Sequence, residues 1–77
     1  MPKFFFNVQR EHYAEDTNGV ELDNAEEVPE EALGAARDIL SEAAFVGIDR
    51  SGWAFNVTDE KGQTVFSLPF SDALRKG

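Results

Sequence analysis

The sequence predicts an α+β domain of ββαββ order: a four-stranded antiparallel sheet, order 2-1-3-4, with one amphipathic helix packed on one face. Three observations predict it. An aromatic run alternates near the start, apolar residues recur every third or fourth place in the middle, and two alternating segments flank a turn near the end. The 77 residues make a single domain, 1–77, in which about 71–77 is expected to fray.

In the run Lys3 to Val8, Phe4, Phe6 and Val8 share one strand face while Phe5 and Asn7 share the other. Gln9-Arg10-Glu11 allows a turn, and His12-Tyr13-Ala14-Glu15 is placed as a short second strand. Asp16-Thr17-Asn18-Gly19 carries turn chemistry, because Asp and Asn side chains bond nearby amides and Gly19 accepts a positive φ. Val20-Glu21-Leu22 leads towards the helix.

Pro29 is accepted only in a first helical turn, so the helix is placed at about residues 29 to 45. Val28, Ala32, Ala36, Ile39, Leu40 and Ala43 form its apolar stripe, widened by Leu33 and Ala35. Gly47 is the expected left-handed residue after its end. The alanines let the helix lie close to a sheet.

Trp53, Phe55 and Val57 alternate with Ala54, Asn56 and Thr58, and Gln63 to Leu68 returns after Asp59-Glu60-Lys61-Gly62. A four-residue loop closed by a left-handed Gly62 sets Phe55 opposite Phe66 and Trp53 opposite Leu68. Pro69 cannot donate to a ladder, so the last strand ends there or lies at an edge. Phe4, Phe6, Val8, Trp53, Phe55, Val57, Phe66 and Leu68 then face the helix. Phe5, Ala54, Asn56, Val65 and Ser67 are left on the open face.

Composition narrows the function. A chain this short buries only about 60% of its unfolded surface, which leaves no room for a deep cleft. The net charge of −8 opposes direct contact with a phosphate backbone and favours a basic or amphipathic partner. Without cysteine there is no thiol catalysis, Cys-based zinc site or disulfide. No apolar run approaches a signal peptide or a membrane span, so a cytoplasmic location is expected.

The phenylalanine-rich start, Asp16-x-x-Gly19-x-Glu21-Leu22, Glu31-Ala32-Leu33-x-Ala35-Ala36, Trp53-x-Phe55-x-Val57-x-Asp59-x-x-Gly62 and Leu68-Pro69-Phe70 together resemble a family of short bacterial proteins catalogued only as a domain of unknown function. The resemblance runs from Met1 to about Leu74, and departs at Pro29, where similar proteins usually continue a helix already begun. It implies no activity, cofactor or catalytic residue.

No enzyme is expected from the residues themselves. His12, beside Glu11, Glu15 and Asp16, has the chemistry of a base or metal ligand but no second histidine. The stretch Asp16 to Glu27 has carboxylates at the ends of an EF-hand-length loop, but Glu21 stands where the sharp turn needs glycine. Glu26, Glu27, Glu30 and Glu31 suit a helix N-terminus and solvent. No glycine motif cradles phosphate, and no serine has a nucleophile's context. Catalytic, cofactor and metal sites are therefore read as none. The candidate interaction surface is Phe5, Ala54 and Val65 on the open face, where Phe5 is covered by Tyr13, Phe70 or the tail, is simply tolerated as one exposed ring, or meets a partner. The expected role is a protein-interaction module that binds itself or another protein through the open face or an edge strand. The alternative is an antitoxin-like protein that neutralises a partner, and the third is a small-ligand binder or an enzyme without a recognisable site.

Overall fold

A computed structural model describes residues 2–74. Its elements are β1 (Lys3–Gln9), β2 (Val20–Glu21), a 3₁₀ turn (Ala25–Glu27), α1 (Val28–Phe45), β3 (Ala54–Thr58), β4 (Thr64–Pro69) and a second 3₁₀ turn (Phe70–Leu74). The strands form one antiparallel sheet in the order β2-β1-β3-β4. This is the predicted α+β architecture.

The second strand is not where the sequence placed it. β2 is Val20–Glu21, paired with Phe4 and Lys3, whereas His12 to Glu15 contributes only an isolated bridge between Ala14 and Val8. Between these two contacts the Phe6 amide donates to Asp16 Oδ2 at 3.1 Å. A side-chain oxygen thus stands where a ladder would supply a carbonyl, and this edge is irregular rather than a single strand.

The hairpin keeps its predicted faces in a different register. Phe55 pairs with Leu68 and Val57 with Phe66, not Phe55 with Phe66, and Trp53 lies just before β3. Two causes add. The Asp59 amide donates to the Gln63 carbonyl and Gly62 has φ +83°, which closes a three-residue loop rather than one of four. A bulge at Val57/Thr58 then leaves Val65 as the extra residue between partners Phe66 and Thr64. Two single-residue shifts restore the original face.

Helix α1 begins at Val28, one residue before the expected start, and continues a 3₁₀ turn capped by Asn24, whose Oδ1 accepts from the Glu26 amide. Pro29 therefore sits in the first turn, where its missing N–H leaves no gap. Val28, Ala32, Ala36, Leu40 and Ala43 are buried along the stripe, and the first four pack with Phe4, Phe55, Val57 and Leu68 from the sheet. Phe6, Val8, Trp53 and Phe66 pack around them, and the Phe6 ring meets Phe55 edge-on at 5.8 Å.

Phe70 is fully buried, with its ring 4.9 Å from Phe55 and 6.1 Å from Trp53. It lies on the helix side and so does not cover Phe5, as one sequence-level alternative had it. The turn that carries it also buries Ala73, whose carbonyl accepts from Arg37 Nε at 3.4 Å. Of the tail expected to fray, about 71–77, the residues to Leu74 belong to this 3₁₀ turn, and residues 75–77 lie outside the described residues. Among the described residues no helix is long and apolar enough to cross a membrane.

Candidate functional site

Strand pairing divides the open sheet face into three rows. Phe5 stands beside Thr58 and, beyond it, Thr64; Asn7 beside Asn56 and Ser67; Gln9 beside Ala54 and Pro69. Phe5 and Ala54 thus lie at opposite ends of the face, separated by a polar row, and Val65 is the bulge residue on the outer strand. The three are not brought together as one apolar patch.

Asn7 organises the middle of that face. It is 5% exposed, and its Nδ2 donates to the Asn56 carbonyl at 2.9 Å and to Thr58 Oγ1 at 3.2 Å. Its Oδ1 accepts from the Asp16 amide at 2.9 Å, tying the 10–19 segment to the sheet. Asp16 Oδ1 in turn accepts from the amides of Asn18 and Gly19. Burial raises the Asp16 pKa, but the amides of Gly19, Phe6 and Asn18 together outweigh it and hold the carboxyl below the ordinary Asp range. Tyr13 leans in to accept from Asn56 Nδ2 at 2.9 Å, and Phe5 is half-buried against the turn at Gly19. What remains is an open, polar-floored depression of about 390 Å³ that includes Phe5, Asn7, Tyr13 and Asn56 in its lining.

A different surface forms where α1 ends. Ile48 N–H donates to the Ala43 carbonyl and Gly47 N–H to the Ala44 carbonyl, with Gly47 at φ +81°, which is the Schellman arrangement. The termination turns the chain outward with its apolar residues uncovered: Phe45 is 92% exposed, Val46 67% and Ile48 44%. Val46 and Ile48 line a depression of about 350 Å³ with Ile39, Ala43, Arg50 and Trp53. Arg50 and Trp53 also wall a second depression, of about 390 Å³, with Arg10, Glu11, His12 and Asp49. The guanidinium carbons of Arg50 and Arg10 lie 4.2 and 5.4 Å from the Trp53 ring centroid.

Sequence reasoning missed this corner. Its signal was the apolar run from Ala43 to Val46, in which Phe45 falls off the buried stripe and so must face away from the sheet.

The remaining sequence candidates stay apart. His12 is exposed beside Arg10 and Trp53, with no hydroxyl or thiol side chain lining that depression. Both Asp16 oxygens are committed to backbone amides, and among the described residues no three His, Cys, Asp or Glu side chains gather to hold a metal. Glu26, Glu27, Glu30 and Glu31 occupy the first turns of the two consecutive helical segments and are exposed.

A family model described as a domain of unknown function, DUF6894, matches residues 3–71, nearly the whole chain. No curated protein and no solved structure matches it.

Proposed function

We propose a non-catalytic role for this chain, which belongs to the DUF6894 family of unknown function: it is a protein-interaction module whose contact surface is the corner at the end of α1. The observation that carries this reading is the run Phe45, Val46 and Ile48, each at least 44% exposed, of which Val46 and Ile48 share a depression with the half-buried Trp53. Large apolar side chains exposed close together favour association, because docking removes them from water. Tryptophan and arginine beside them are the residue types that most often dominate binding energy.

The other surfaces suit the role less. The open sheet face has a polar floor whose groups already satisfy one another. On the outer edge, the Phe70 amide donates inward to the Trp53 carbonyl, so by alternation the Pro69 position points outward, where it offers no N–H to an added strand. With a charge of −8 on each copy, a heterologous protein is favoured over self-association.

The test compares partner capture by the wild type, Phe45→Asp, Ile48→Lys and Phe5→Lys, all checked for folding by circular dichroism. Loss in the first two variants and retention in Phe5→Lys is the expected result. Capture that is indifferent to Phe45→Asp and Ile48→Lys refutes the reading.

A further inference from the structure

The two depressions that meet at Trp53 and Arg50 differ in chemistry. On one side the walls are Ile39, Ala43, Val46 and Ile48; on the other they include Arg10 and His12. Among the described residues neither guanidinium makes a hydrogen bond or an ion pair, although Glu11 and Asp49 line one depression and Glu42 the other. Asp49 is occupied locally, since its Oδ1 accepts from the Ser51 amide at 2.8 Å. Each guanidinium therefore lies against an aromatic ring with its N–H edge uncommitted, in a chain whose net charge is −8.

We infer that this double depression recognises a partner segment in which an apolar side chain is followed by a carboxylate, the apolar group docking against Val46 and Ile48 and the carboxylate meeting Arg10 and Arg50. The inference rests on the reading of this corner as an interaction surface and adds the chemistry of what binds there. A planar carboxylate matches the fork of a guanidinium, and stacking on Trp53 holds that fork in place. A polyanion such as nucleic acid would instead meet the repulsion of the whole molecule, whereas one or two carboxylates beside an apolar anchor can bond the uncommitted guanidinium edges directly, against the nearby charges of Glu11, Asp49 and Glu42. Salt therefore weakens this recognition without abolishing the apolar part.

The experiment uses the full chain and short end-blocked peptides centred on Leu-Asp-Asp, Leu-Asn-Asn or Leu-Lys-Lys. Trp53 is the only tryptophan in the chain, so its fluorescence reports occupancy directly. The Asp peptide is expected to bind about tenfold more tightly than the Asn peptide. Arg10→Gln/Arg50→Gln is expected to erase that difference, with the fold intact by circular dichroism. Equal binding of the three peptides, binding by none of them, or an undiminished Asp preference in the double variant overturns the inference. If the peptides show no charge preference while Ile48→Lys still abolishes partner capture, only the chemistry proposed here fails. If Ile48→Lys leaves capture intact, the interaction surface itself is wrong.

Discussion

Phe5 shows why single residues in this chain are hard to assign from alternation alone. Its ring meets the Gly19 turn, and a Cβ at Gly19 would stand 2.7 Å from Lys3 methylenes and 3.0 Å from the Phe5 ring, at a φ of +76°. Gly62 shares the positive φ but faces open space. Gly19→Ala is accordingly expected to cost roughly 2–3 kcal/mol and Gly62→Ala roughly 1–2 in urea unfolding, the excess coming from contact. Equal losses would show that only φ matters. Asp16 gives a pH signature: its carboxyl is held low in the fold, so its contribution is present above the unfolded value of about 3.9 and is lost as pH falls through the folded one. Asp16→Asn should lower stability at neutral pH and flatten its dependence below about pH 4, as measured by urea midpoints across pH. An unchanged acid slope would remove Asp16 from that role. The Asp16–Gly19 turn was legible in the sequence; that Asp16 would replace a ladder carbonyl was not, since it depends on which strand edge the turn meets.

At the scale of elements, the helix was the most legible part. Its stripe and its closing Gly47 follow from spacing and left-handed geometry, and Pro29 locates the first turn to within a residue. Gly34 is the exception to its good sequence: it lies mid-helix, is exposed, and a Cβ there meets nothing within 4 Å. Gly34→Ala should therefore raise stability by about 1 kcal/mol, read as a melting temperature about 4–8 °C higher. No increase would mean that the glycine relieves a strain in α1. The hairpin was legible in its faces but not its register, because loop length and a bulge each shift pairing by one residue without any change in apolar pattern. Phe70 was missed as core for a related reason: Pro69 signals the end of a strand, yet the next ring still follows the inward alternation set by Phe66 and Leu68.

The whole molecule is thin, with a shortest extent of 16 Å, as expected of one sheet and one helix. Such a body covers one sheet face and leaves its remaining apolar residues at corners. Composition told that the domain would be small and acidic; which corner would stay uncovered depended on how α1 ends against Trp53. This corner is the proposed binding surface for a partner. Hydrogen-exchange footprinting of the chain with and without its captured partner tests it most directly. Protection concentrated at residues 43–53, with the amides around Phe5 and Val65 unchanged, is the predicted result. Protection centred on the open sheet face, with residues 43–53 exchanging as in the free protein, would contradict it.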